Sequence, residues 1–328
     1  MEFCWALPVS DVNECRKQAV DAEKYGFDGV LVASAKQALD PWILTMMMCQ
    51  DTSRVRFLVA QNTNMLLPHI TLKNLTSIHY LMGDRFDLNI VTGGIKQESL
   101  TGGDFPSHEH RYKRTNEFVK CMRLLMQGTT NFNGMNFSYS DLEVQPQFEG
   151  QSRLFIAGSS SAASEVALSA GDVMICYADT TLHLKNRIKQ LKHEAALRNR
   201  TLKIGIYIDI LAKAAQDEAI EIAYQKHEQF SGFHKKITKM YLNEVDSVGI
   251  RNNKHFKDQH DLWVEEHLWA GLSEVSRSVG LTVVGSFKQV SDKLGQYRDI
   301  GVDYFLVSGY LDESACETMG RHIIPCFK

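Results

Sequence analysis

Asn89 is the one amide in the apolar run Phe86 to Val91, and that run ends at Thr92-Gly93-Gly94 before a long polar loop. Strand ends that open into loops are where α/β barrels build their sites. Two readings stand side by side. Asn89 and Thr92 point into a cofactor pocket, or Asn89 is a hydrogen-bonded core amide and Gly93-Gly94 an ordinary turn. A second pattern follows Arg153 to Ala157, where Gly158-Ser159-Ser160-Ser161 leads into a helix from Ala162 to Ala170. Free backbone N–H groups, hydroxyls and the positive end of a helix dipole offer a phosphate a seat. A serine N-cap explains the same residues. A third pattern lies in Lys203 to Ala212, where Tyr207 and Asp209 alternate with isoleucines and share one strand face. A carboxylate there can hold an amine or hydroxyl, serve as a general base if its pKa is raised, or pair with a neighbouring strand.

The elements that must position these residues repeat a simple cadence. Tyr25 to Ser34 reads YGFDGVLVAS, Tyr297 to Ser308 reads YRDIGVDYFLVS, and Ala170-Gly171-Asp172 precedes VMICYA. Helix, glycine, aspartate, apolar strand is an αβ junction, and its recurrence points to repeated βα units. Strands are expected at 3–7, 30–33, 54–62, 86–91, 153–157, 173–177, 203–212, 282–286 and 304–307. Helices are expected at 11–25, 40–51, 68–83, 111–128, 162–170 and 182–198, with Pro68 at a favoured starting position. Asn133-Gly134 between alternating residues signals a β-hairpin within 129–148. About eight strand–helix alternations predict a (β/α)8 TIM barrel in a single domain, with insertions at about 94–110, 129–150 and 226–280. A doubly wound open sheet is the runner-up, but no GxGxxG follows the first strand.

Bulk composition narrows the function classes. With 328 residues, 44% hydrophobic, the chain has ample material for a large core. Net charge is −3, from 36 basic and 39 acidic residues, which argues against nucleic acid or an anionic membrane as partner. No apolar run approaches the roughly 20 residues needed to span a bilayer. The first residues, MEFCWALPVS, lack the basic and apolar regions of a secretory signal. Seven scattered cysteines with no CxxC pair predict reduced, mostly buried thiols, no metal cluster and a cytoplasmic location.

Several segments, in order along most of the chain, carry a family resemblance. They are WALP, YGFDGVL, RVRFLVA, LNIVTGG, HEHRY, GSSSAASEVA, HLWAG, TVVGS and FLVSGY. The chain resembles the bacterial luciferase-like flavin monooxygenases, most closely their alkanesulfonate monooxygenase branch. The resemblance implies a TIM barrel with insertions, assembled as a homodimer or homotetramer. It implies reduced FMN supplied by a separate NAD(P)H:flavin reductase, with O2 as co-substrate. Asn89 and Thr92 would line the isoalloxazine and oxygen pocket. Tyr112 and the Gly158-Ser159-Ser160 turn would hold the FMN phosphate. His108 and Arg111 share the HEHRY motif and would contact flavin or brace the loop. Tyr177 takes the place of a tryptophan near the phosphate side, and Tyr310 matches the tyrosine of the SGY strand end.

Three departures from that branch bear on the substrate. Ala38 stands where the branch has a cysteine, Tyr207-Ile208-Asp209 where it has Arg-x-His, and Ser276, followed by Arg277, where it has a mobile-loop arginine. A sulfonate needs fixed positive charge. The resemblance therefore implies an FMN-dependent monooxygenase of a small organic substrate other than a simple alkanesulfonate. Asn89, Thr92, Asp209 and Tyr310 would be its catalytic residues, with Asp209 facing an amine, amide N–H or hydroxyl. The loop Gly94 to His108 and the segment Ser273 to Gly280 would close over the site. Peroxide-dependent ring or bond cleavage, and a non-catalytic flavin-binding protein, are the alternatives.

Overall fold

The computed structural model describes the chain except residues 9–10, 35–37, 95–105, 231, 233–235, 239, 241–245, 249–261 and 277–278. Arg277, most of the loop between Gly94 and His108 and much of the 226–280 insertion therefore lie outside the described residues.

The chain alternates strands and helices from its start. The first half runs β1 (Glu2–Ala6), α1 (Val12–Lys24), β2 (Gly29–Val32), α2 (Pro41–Cys49), β3 (Arg56–Asn62), α3 (Pro68–Met82), β4 (Phe86–Val91) and α4 (His108–Gln127). A hairpin of β5 (Thr130–Asn133) and β6 (Ser138–Leu142) follows as a separate sheet. Then come β7 (Leu154–Ala157), α5 (Ser161–Ala170), β8 (Val173–Tyr177), α6 (Thr181–Leu197), β9 (Lys203–Lys213) and α7 (Gln216–Gln229). The last part holds β10 (Trp263–Glu265), β11 (Leu268–Trp269), β12 (Thr282–Ser286), α8 (Phe287–Asp299), β13 (Tyr304–Ser308) and a short helix α9 (Ala315–Thr318).

Eight parallel strands close the barrel in the order β1-β2-β3-β4-β7-β8-β9-β13, with β13 returning to β1. The expectation that 282–286 is a barrel stave needs correction. β9 has 11 residues; β13 pairs with its middle, Gly205 to Asp209, and β12 pairs with its far end, Asp209 to Lys213. β12 is thus a ninth parallel strand that extends β9 above the barrel rim and carries the antiparallel β11 and β10.

Alternation along each strand separates two apolar layers. Phe57, Val59, Leu88, Ile90 and the even-numbered isoleucines of β9 face the helices. Cys4, Leu31, Leu58, Phe155, Ile175, Tyr304 and Leu306 fill the barrel interior, with Tyr207 against them. Charged pairs close the N-terminal end: Asp87, only 2% exposed, takes bonds from Arg56 and Arg153, and Glu2 pairs with Arg153 and Lys203. Desolvation pushes the Asp87 carboxyl up, and the two guanidiniums outweigh it, so its pKa is lowered. Above the mouth, Leu211 of β9 packs with Trp269, Leu272, Val275, Val284 and Leu311. No described helix is long and apolar enough to cross a membrane.

Candidate active site

Residues of the inner strand faces converge at the C-terminal mouth. Asn89 sits on the inner face of β4, between Ala60 of β3 and Phe155 of β7. It is 7% exposed, and its Oδ1 is buried with no hydrogen-bond partner among the described residues. Such an acceptor is costly unless something else satisfies it. Thr92 has turned the other way. Its hydroxyl accepts from Thr115 of α4 at 3.1 Å, and Thr115 also lies 3.2 Å from Thr63.

Directly after Thr92 the backbone makes a tight corner at Gly93. Its φ is +73°, and a Cβ there would meet the Asn64 amide at 2.8 Å. Asn62 supports the corner by accepting from Asn64 N at 3.0 Å. Asn62, Asn64 and Thr115 were not singled out in the sequence. The polar run Gln61-Asn62-Thr63-Asn64 at the end of β3 was the available signal for the first two.

The Gly-Ser-Ser turn is held from two sides. Gly158 has φ +149°, and a Cβ there would lie 2.8 Å from the Tyr112 hydroxyl and 2.7 Å from Ala163 Cβ. Only glycine lets the α4 tyrosine approach the turn this closely. Ser160 caps α5, its hydroxyl accepting from Ala163 N at 3.1 Å, while Ser159 is half-buried beside it. The N–H groups of Ser161 and Ala162 lie in the first turn of α5, which leaves them without intrahelical acceptors. Burial raises the Tyr112 pKa, and hydrogen bonds from the Ser160 and Thr92 side chains partly offset it. The His108 ring lies 4.7 Å from the Tyr112 ring.

Arg111 braces this corner. It is 1% exposed, donates to the Pro106 carbonyl, and reaches Asp246 Oδ2 at 2.8 Å. Asp246 N donates in turn to Gly94 O at 2.8 Å. One ion pair therefore ties the β4–α4 connection to the insertion. Glu265 of the insertion makes a second tie: it accepts from Thr181 N at the start of α6 and from Lys293 Nζ at 2.6 Å.

Across the barrel, Asp209 is fully buried. Ser308 Oγ (2.8 Å) and the Tyr310 N–H (2.7 Å) donate to Oδ1, and Thr282 Oγ1 lies 3.2 Å from Oδ2. Burial raises its pKa to about 7, against the pull of those three donors. The carboxylate does face inward, but it is sealed among β12, β13 and the turn after β13. It does not open to the mouth as the sequence reading expected. Tyr310 projects instead, 47% exposed, its ring stacked 6.2 Å from Phe230. Tyr177 and Tyr207 stack at 5.9 Å on adjacent staves. Ser276 is buried near the roof, and Ala38 precedes α2.

These features define an α/β barrel with a polar, glycine-cornered seat on one side of its mouth and an aromatic wall on the other. A family model described as luciferase-like monooxygenase matches residues 3–304, and the chain belongs to that family. Among solved structures it is similar to a riboflavin lyase holding modified FMN and riboflavin, at 16% identity over 99% of this chain and 90% of that one, TM-score 0.81. It is also similar to an EDTA monooxygenase from Chelativorans sp. BNC1 (16%, 99% and 92%, TM-score 0.77). An F420-dependent secondary alcohol dehydrogenase shares the fold at 16% identity over 100% and 99%, TM-score 0.74.

Proposed function

We propose that this chain is a two-component monooxygenase that uses reduced FMN and O2 to oxidise a small organic substrate other than a simple alkanesulfonate. A separate NAD(P)H:flavin reductase would supply the reduced FMN. The observation that carries the reading is the orphaned Asn89 Oδ1, buried on the inner face of β4. A flavin ring edge offers N–H donors to such an acceptor. The Gly158–Ser160 turn, with Tyr112 and the first N–H groups of α5, fits the phosphate of FMN. His108 and Tyr177 would border it, and Thr92 would support Tyr112 from behind. Bound reduced flavin supplies the electrons that activate O2, so that one oxygen atom enters the substrate and the other leaves as water.

The protein's own part is to hold and enclose. Asn89 and the Gly158 turn fix the cofactor, the roof around Trp269 excludes water, and Tyr310 presents its ring to the bound substrate. We read the chain as one domain whose insertions wall the mouth. We also infer a cytoplasmic homo-oligomer. The seven free thiols fit a reducing compartment. Leu39, Ile43 and Met47 expose an apolar stripe at α2 that a second copy would cover.

Anaerobic titration tests the cofactor. Reduced FMN should bind more tightly than oxidised FMN, and NADH hardly at all. Preference for F420 over FMN would shift the reading to the dehydrogenase side of the fold.

A further inference from the structure

We propose that Thr115 is a positioning residue for the cofactor's phosphate: through Thr92 it turns the Tyr112 hydroxyl proton towards the Gly158 turn, and so sets the preference for FMN over riboflavin. This rests on the functional reading above and adds the residue that sets the phosphate preference. Three buried hydroxyls run behind Tyr112. Thr63 and Thr92 directly follow the adjacent strands β3 and β4, and Thr115 of α4 reaches both, at 3.2 and 3.1 Å. They are 3%, 8% and 0% exposed. Thr92 in turn bonds the Tyr112 hydroxyl, which also bonds the Ser160 side chain.

Each hydroxyl carries one proton, so the chain has a direction. Thr115 has two acceptors for its own proton, the Arg111 carbonyl at 3.0 Å and Thr92 Oγ1 at 3.1 Å. That carbonyl lies one turn back in α4 and is the helical acceptor of the Thr115 N–H, so neither choice strands it. If Thr115 donates to Arg111, Thr92 points at Thr115 and Tyr112 at Thr92, away from the turn. If Thr115 donates to Thr92, Thr92 points at Tyr112, and the Tyr112 proton is left for the turn. Thr63 then donates to Thr115 and completes the order. A phosphate selects the second arrangement, because a hydrogen bond to a charged oxygen is roughly twice as strong as a neutral one and polarises the chain behind it. The order matters because the seat is assembled from hydroxyls and N–H groups, while Arg111 beside it is engaged by Asp246.

The test is anaerobic calorimetric titration of reduced FMN and reduced riboflavin into the parent, Thr115→Val, Thr115→Ser, Tyr112→Phe and the double variant Thr115→Val with Tyr112→Phe. The parent should prefer FMN. Thr115→Val should lower the ratio of FMN to riboflavin affinity about fivefold, within the worth of one hydrogen bond, with riboflavin affinity unchanged. Thr115→Ser, which keeps the hydroxyl, should restore the ratio. Once Tyr112→Phe has removed the end of the chain, Thr115→Val should change the ratio no further. Thr115→Ala serves as a second variant should Thr115→Val fail to fold. An unchanged ratio in Thr115→Val, no rescue by Thr115→Ser, or an equal loss with and without the Tyr112 hydroxyl would make Thr115 a plain helix threonine, overturning the inference while the functional reading stands. A parent that binds both flavins alike, or neither, removes the phosphate seat, and the functional reading and the inference fall together.

Discussion

The Asp209 carboxylate accepts the Tyr310 backbone N–H at 2.7 Å, so a buried acid on one stave sets the turn that ends another. The same carboxylate takes Ser308 Oγ and lies beside Thr282 Oγ1. It joins β9 to β13 on one side and to the rim extension β12 on the other. Asp209 thus holds the turn that carries Tyr310.

That placement has a pH signature. The Asp209 pKa is raised to about 7, so between about pH 4 and 7 the folded chain keeps a proton that the unfolded chain has lost. Its contribution to stability is fully present below the unfolded pKa and is lost as pH rises through the folded one. Asp209→Asn keeps the acceptor for Ser308 and Tyr310 and places N–H donors towards Thr282. Thermal melts should show the variant gaining on the parent as pH rises from 4 to 8, by on the order of 4 kcal/mol at about 1.4 kcal/mol per pKa unit. Parallel pH curves would rule this out. Asp209→Ala, which strands three polar groups, should instead be destabilised at every pH.

At the opposite seat, Tyr112→Phe and Ser160→Ala should each weaken FMN binding by roughly 1 kcal/mol, the net worth of one hydrogen bond. Gly158→Ala should cost more, because its Cβ would press on the Tyr112 hydroxyl. Circular dichroism should stay native for the first two. Fluorescence titration with unchanged affinity in both would remove the phosphate assignment.

How far the sequence anticipated these features depended on the range of the interactions involved. The barrel was legible because each αβ junction repeats a local signal, whereas the strand pattern around Asn89, which also holds Asp87, fits a pocket amide and a core amide alike. The Gly-Ser-Ser turn was legible as both cap and anion seat, and the structure shows the cap. TVVGS was misread as a stave because a rim strand covered on both faces has the same apolar pattern as a barrel strand. The length of KIGIYIDILAK, which runs past the rim, was the overlooked clue. The fate of Asp209 was hidden because its three partners lie 73 to 101 residues away. No local pattern encodes that closure. The Arg111–Asp246 pair, 135 residues apart, was hidden for the same reason.

That pair yields a separate prediction. Asp246→Ala leaves the buried Arg111 guanidinium with less compensation and should destabilise the fold by about 1–3 kcal/mol, below the range for a fully buried pair because Asp246 is partly exposed. The double variant Arg111→Met with Asp246→Leu should recover much of that loss. A double-mutant cycle in urea with no coupling between the two positions would mean that the clasp holds nothing.

The proposed function rests on the buried Asn89 Oδ1, which lacks a partner among the described residues, accepting from a reduced flavin. The most direct measurement is anaerobic titration of reduced FMN into the parent chain and Asn89→Leu, followed by admission of O2 under stopped-flow. Tight, one-to-one binding to the parent, at least about tenfold weaker binding to the variant and an unchanged melting profile are expected. Equal affinity of parent and variant for reduced FMN, or no binding by the parent, would contradict it.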